Sequence, residues 1–295
     1  MIAHYLGRPV EPFQTPYTGS DTTFVAQRLD DTRMSNGSFR HCTFINMSFK
    51  DATLNAFDFL NCIFINCYFR RTTLKNCTIV GCQFHDCDFP KLNLVACSFR
   101  YTRFRRCQIA FASIRTSLPE EPNLCRDICR NLALQSSKLG LRGDARRYRM
   151  EELASRERHL RNAVLGESQW YKSHYTGFAK FRAFFDLSVS LINKYLFGYG
   201  ESLYVLVRNS LIAAFLIFPT IYYFSSIGFA HQGNDALSYV DFILFSISTI
   251  LPMADLSSIE TTRWFTHTIA GLEAICGVVV LAFIAAYVFR WSIRQ

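Results

Sequence analysis

From Phe24 to Ile114, every fifth residue is large and apolar, through Leu29, Met34, Phe39, Phe44, Phe49 and onward, nineteen positions without a break in register. A helix repeats its apolar face every 3.6 residues and a half-buried strand every second residue, so neither accounts for a period of five. A solenoid built from short, equal edges does, because each edge must turn the same kind of side chain inward. Two residues before each large apolar position the chain prefers something small. Eight of those places hold cysteine: Cys42, Cys62, Cys67, Cys77, Cys82, Cys87, Cys97 and Cys107.

On these residues the stretch from about 20 to 116 resembles the pentapeptide-repeat family. The resemblance implies a right-handed, four-sided β-helix of twenty residues per coil, and nineteen repeats make nearly five coils. Residues twenty apart then stack, with Cys42 over Cys62 over Cys82, Cys67 over Cys87 over Cys107, and Cys77 over Cys97. Neighbouring coils lie about 4.8 Å apart, wider than the ~3.8 Å that disulfide β-carbons prefer. Zinc would need four ligands converging on one point. The thiols are therefore expected as inward ladders of small apolar side chains, in a reducing compartment, with no metal and no cofactor.

Charge divides the 295-residue chain unevenly. Residues 1–118 carry 14 Lys/Arg against 8 Asp/Glu and residues 119–203 carry 14 against 10, whereas the last 92 residues hold 4 and 5. A basic N-terminal part followed by an apolar C-terminal part reads as a cytosolic domain tethered to a membrane. A pentapeptide rod that mimicked DNA would be acidic. This one is net basic, and the run "RYTRFRRC" reads as a solvated face, so no nucleic-acid partner is expected. The N-terminus, "MIAHYLGRPVEP", has no apolar core of signal-peptide length, and no cleaved export signal is expected.

Five regions follow: an N-terminal cap (1–20), the solenoid (21–118), a helical cap and connector (119–166), an amphipathic juxtamembrane segment (167–203) and an apolar domain (204–295). In the connector, Cys125 and Cys129 share a helix face at i, i+4 and read as packing groups. Asp144 is the expected N-cap of a helix rich in opposite charges, read as a solvated connector or an oligomer contact. In the juxtamembrane segment, Trp170, Phe178, Phe181, Phe184 and Phe185 alternate with Lys172, Lys180 and Arg182, a pattern suited to lipid headgroups.

Two runs, about 204–227 and 266–290, are long and apolar enough to cross ~30 Å of hydrocarbon. Basic residues precede the first and follow the second, which predicts a multi-pass protein of the cytoplasmic membrane with both termini in the cytosol. Between them, about 235–250 reads as an apolar helix too short to span, capped by Asn234 or Asp235. Here the chain resembles a two-transmembrane, potassium-channel-like pore module fused to the repeats, and the resemblance implies a homotetramer. Glu273 and Gly277, four apart in the second span, take the place of pore-supporting residues.

The filter position reads Thr249, Ile250, Leu251, Pro252, Met253, Ala254, Asp255, with no glycine. A potassium filter aims consecutive carbonyls at the ion, and Pro252 restrains that backbone. A weakly selective opening is expected instead, with Asp255 and Glu260 as negative charge at the outer mouth. The filter-like letters Gly198-Tyr199-Gly200 occur elsewhere, with no span before them, and are expected to form the turn into the bilayer. The expected function is an ion channel gated by a protein or ligand at the solenoid, in the manner of a stress- or defence-triggered depolarising effector. The alternative is a non-conducting, membrane-anchored scaffold. No nucleophile elbow, phosphate loop or metal signature points to an enzyme.

Overall fold

The computed structural model describes residues 10–200, 202–231, 237–251, 257 and 259–292, which fall into two compact units divided between Phe184 and Phe185. In the first unit the five-residue period becomes the side of a square. Strands Thr23–Val25, Thr43–Ile45, Ile63–Ile65, Gln83–His85 and Arg103–Arg105 form a parallel five-stranded sheet in which Phe24, Phe44, Phe64, Phe84 and Phe104 are in register. A second face stacks Phe39, Phe59, Ile79 and Phe99, and a third stacks Met34, Leu54, Leu74 and Leu94. On the fourth, single bridges run from Arg28 through Ser48, Tyr68 and Asp88 to Gln108. Phe44, Phe64 and Phe84 lie ring on ring, at 4.7 and 4.6 Å between centroids.

The corners show how a chain turns four times in twenty residues. From Asp21 to Arg106 every fifth residue is left-handed, with φ between 50° and 68°. Such angles cost a non-glycine residue roughly 1–2 kcal/mol and are tolerated best by Asn and Asp. Asn36, Asn46, Asn61, Asn66 and Asn76 occupy corners, as do Asp21, Asp31, Asp51 and Asp86. Surface ladders join one turn to the next: the Asn66 amide donates to Asn46 at 2.7 Å, and Arg71 and Arg106 pair with Asp51 and Asp86.

The thiols line the core, as their spacing requires, and they also act as donors. Cys62 Sγ reaches the carbonyl of Phe39 at 3.4 Å, Cys82 that of Phe59 at 3.3 Å, and Cys97 that of Leu74 at 3.3 Å. Thr72 and Thr102 make the same bond, to Phe49 at 2.7 Å and Ile79 at 3.1 Å. From Cys62 onward, a thiol or hydroxyl at a small position thus reaches a carbonyl twenty-three residues earlier, in the preceding turn. Contact with Cys87 and then burial push the Cys107 thiol well above the ordinary thiol range. Met47, Phe57 and Leu92 are larger than the small-residue rule asks for and are buried; Phe57 is the bulkiest. It fits because Gly37 lies directly across from it in the ladder, where a Cβ would stand 2.1 Å from the ring.

Both ends of the rod are closed. Strand Thr18–Ser20 already pairs with Ser38–Arg40, so the solenoid begins inside the segment expected as a cap. Phe13 plugs that end, stacked on Phe39 at 5.1 Å. At the other end, Ile114 keeps the five-residue register but lies in a short helix, α1 (Phe111–Ile114), because no further turn of sheet follows. Helices α2 (Pro122–Lys138) and α3 (Arg142–Leu165) form a hairpin over the last turn. The Asn131 amide satisfies both the N–H and the carbonyl of Phe104, at 2.8 and 3.1 Å, and Gln135 accepts the Arg106 N–H at 2.9 Å. Side-chain amides thereby stand in for the missing next strand.

Helix α3 departs from the expected solvated connector. It buries Tyr148, Leu160 and Ala163, and the Tyr148 hydroxyl donates to the Ile109 carbonyl at 3.0 Å. Asp144 is not its N-cap: the helix starts two residues earlier, and the carboxylate accepts the Phe111 N–H at 3.2 Å. Helices α4 (Gln169–His174) and α5 (Phe178–Phe197) follow. Phe178, Phe181, Phe184 and Phe185 are exposed along α5.

In the second unit, α5 ends at Gly198-Tyr199-Gly200, three consecutive left-handed residues that form a turn. The Asn209 amide caps the α5 terminus by donating to the Leu196 carbonyl at 3.0 Å. Helix α6 (Leu203–Ile212), a π-helical turn at Ala213–Ile217 and α7 (Phe218–Phe224) make one continuous run. A short antiparallel ribbon pairs Phe229–His231 with Ile259–Thr261. It flanks α8 (Tyr239–Ile250), and α9 (Trp264–Ser292) completes the unit. Leu203–Phe224 and Trp264–Phe289 are long and apolar enough to cross a membrane, and only 17% and 11% of their most apolar stretches are buried.

Candidate functional site around a buried carboxylate

Glu273 lies in the N-terminal half of α9, within a long apolar stretch, and is wholly buried. Its two carboxylate oxygens each accept a hydroxyl from a different element: Oε2 from Tyr222 of α7 and Oε1 from Ser246 of α8. A buried carboxylate without partners would be prohibitively costly, whereas charge-assisted bonds from two hydroxyls satisfy it. One side chain of α9 therefore fastens both other helices.

One turn further on, Gly277 lets α9 approach α8 backbone to backbone. A Cβ at this position would stand 2.6 Å from the Ile250 carbonyl oxygen and 3.0 Å from its Cα. Glu273 and Gly277, on one face of α9, thus hold the middle and the C-terminal end of α8. Around the carboxylate, Tyr222 packs edge-on against Phe229 at 5.4 Å and Phe245 at 5.2 Å, and Phe229 meets Phe242 at 5.3 Å. These rings tie the ribbon to α8. The tight step before the ribbon needs Gly228, where a Cβ would meet the Thr266 side chain at 2.5 Å.

Helix α8 begins at Tyr239, with the Asp241 carboxylate accepting the Ser238 N–H at 2.8 Å. Asn234 and Asp235, the expected caps, lie outside the described residues. Its first residue also serves the neighbouring run. Pro219 has no N–H to give the Phe215 carbonyl four residues back, and the Tyr239 hydroxyl approaches that carbonyl at 3.5 Å. Proline is accommodated in apolar helices when such groups take over the freed carbonyl.

Of the residues singled out in the sequence, Thr249 and Ile250 close α8, and Leu251 follows as its C-cap. The Thr249 hydroxyl is turned back on the Phe245 carbonyl at 2.8 Å. Pro252, Met253, Ala254 and Asp255 lie outside the described residues. Glu260 sits in the ribbon opposite Ala230. Sequence reasoning missed Tyr222, Ser246 and Tyr239. The available signal was weak: hydroxyls scattered in apolar helices, with nothing to say which one meets Glu273.

With this geometry in place, the comparisons with known proteins bear on the first unit. Residues 37–114 match the pentapeptide repeat region family. Rfr23, a pentapeptide repeat protein from the cyanobacterium Cyanothece 51142, is similar at 12% identity over 36% of this chain and 84% of its own, with a TM-score of 0.29. Two structures of QnrB1, a plasmid-mediated fluoroquinolone resistance protein, are similar at 21% and 16% identity. They are matched over 30% and 31% of this chain and 43% and 61% of theirs, with TM-scores of 0.16 and 0.15. No curated protein matches. The chain carries an N-terminal pentapeptide-repeat β-solenoid, followed by helices of which two are apolar enough to span a membrane.

Proposed function

We propose that the protein is an oligomeric ion channel of the cytoplasmic membrane, gated by its cytosolic pentapeptide-repeat domain. The observation that carries this reading is the Glu273 clasp. It fixes a short apolar helix between two membrane-length helices, with the helix C-terminus pinned at Gly277. A helix that is apolar all round and largely exposed belongs in lipid rather than in a soluble core. An ionisable group within such a helix marks a functional element. Four chains around one axis would bring four α8 termini together, and the segment from Leu251 to Asp255 would line the mouth.

The missing glycines oppose a dehydrating carbonyl cage, so the pore is weakly selective for cations. The solenoid is the surface for the activating protein or ligand, and opening would depolarise the membrane, as suits a stress or defence effector. Purified protein in planar bilayers tests this reading. Discrete conductance steps with a reversal potential displaced toward the cation value in asymmetric salt are expected. Silence with intact tetramers would leave the chain as a membrane-anchored scaffold.

A further inference from the structure

Below the point where α8 meets Gly277, the second unit contains a groove of about 370 Å³, walled by Leu211, Phe215, Ile247, Ile250, Val280 and Leu281. It lies between the two membrane-length runs and the end of α8. Among the described residues that line it, Ser210 is the one with a polar side chain, and its hydroxyl donates to the Leu206 carbonyl at 2.8 Å. The lining side chains therefore offer a guest mainly apolar contact. The groove is open on one side, and its volume falls within the ~300–1,000 Å³ range of ligand sites. A second observation marks the same wall: Ala214 and Phe215 belong to the π-helical turn, a departure from regular helix frequent at functional sites.

We propose that this groove binds a single lipid acyl chain, seated between the two runs against the α8 terminus. The occupant follows from the wall. A guest without polar atoms, slender enough to lie along a groove between helices and abundant around two membrane-length helices, is a hydrocarbon tail. The inference rests on the chain being embedded in a bilayer but not on whether it conducts. A guest at this place touches the elements that α8 depends on for its position, so occupancy would bias the opening the proposed channel uses.

The test uses the full chain in detergent micelles titrated with a dibrominated stearate, whose bromines quench tryptophan fluorescence on contact. The wild type supplies the background of Trp170, Trp264 and Trp291. Phe215→Trp places a half-exposed reporter on the groove wall, and Leu272→Trp places an exposed one on α9 away from the groove. Saturable quenching at one probe per chain is expected for Phe215→Trp, with only gradual, unsaturable quenching for Leu272→Trp. Filling the groove by Ala214→Phe, or independently by Leu281→Phe, should remove the saturable component while circular dichroism retains its helical signal. Unsaturable quenching at both reporters would overturn the proposal. So would a shielded reporter at position 215 together with disulfide-linked dimers of Leu281→Cys made in a Cys276→Ala background, since native Cys276 is exposed on the same helix; such dimers would show a second copy in the groove. If the chain stayed monodisperse without detergent and neither reporter were quenched, the bilayer reading itself would fall.

Discussion

The solenoid is stabilised residue by residue, and each inward position has a separable job. Phe64 is stacked between Phe44 and Phe84, so Phe64→Ala opens a cavity in a column that cannot collapse without breaking strand register. A loss on the order of 3–5 kcal/mol is expected, measurable as a large drop in the solenoid's thermal midpoint. Cys82→Ser should cost far less, because Thr102, one turn above in the same column, already donates a hydroxyl to the equivalent carbonyl. Equal losses for the two changes would contradict this division of labour. Gly37→Ala gives the sharper contrast. Its single methyl would meet the Phe57 ring at 2.1 Å, and overpacking of a tight core costs roughly 1–3 kcal/mol. Adding Phe57→Leu should recover part of that loss; if denaturant titration finds no coupling, the pairing of small with large across turns is mistaken.

At the scale of elements, the clasp and the turn make opposite predictions. Tyr222→Phe and Ser246→Ala each remove one donor from a wholly buried carboxylate. Leaving a buried group short of a partner costs about 1–3 kcal/mol, and more when it is charged. The two changes share one acceptor, so a double-mutant cycle on thermal stability in detergent should be clearly non-additive. Additive losses would mean that the hydroxyls do not act through Glu273. The Gly198-Tyr199-Gly200 turn carries no such charge and sits between α5 and α6. Its Tyr199 hydroxyl lies 3.4 Å from Ser190 Oγ. Tyr199→Phe should therefore leave the reversal potential of the proposed channel where it is, while any effect on gating appears in open probability. A shifted reversal potential would place these residues in the permeation path.

For the whole molecule, charge is segregated: the part before Tyr204 is strongly basic, the last 92 residues are slightly acidic, and Asp255 and Glu260 follow α8. In a fourfold assembly, four copies of Asp255 would ring the outer mouth. Fixed carboxylates concentrate cations without stripping their water, and salt screens the effect over a Debye length of about 10 Å at 0.1 M. Cation preference should thus be strongest at low ionic strength, with sodium and potassium nearly equal. Asp255→Asn should weaken that preference and Asp255→Lys reverse it, both read from reversal potentials in asymmetric salt. Sharp potassium selectivity would contradict a mouth without filter glycines.

How much of this could be read from the chain alone depends on whether the deciding contact is local. The solenoid was legible because a side of five residues repeats the same inward pair. Phe24, Phe44, Phe64, Phe84 and Phe104 announce their own stacking, and the thiol columns follow from that register. Even the left-handed corners left a trace in Asn46, Asn61, Asn66 and Asn76. The two membrane-length helices were legible for an equally simple reason, since length and apolarity are properties of a segment by itself. Gly37 opposite Phe57, by contrast, needed the ladder to bring them together. So did the Asn131 amide that stands in for a strand at Phe104, twenty-seven residues away. Glu273 could be seen as an anomaly in its helix, but its partners lie fifty-one and twenty-seven residues distant on elements of no fixed period. Sequence sets what repeats and what is long; only tertiary packing decides which lone hydroxyl meets a lone carboxylate, because that choice depends on how separate helices lean on one another.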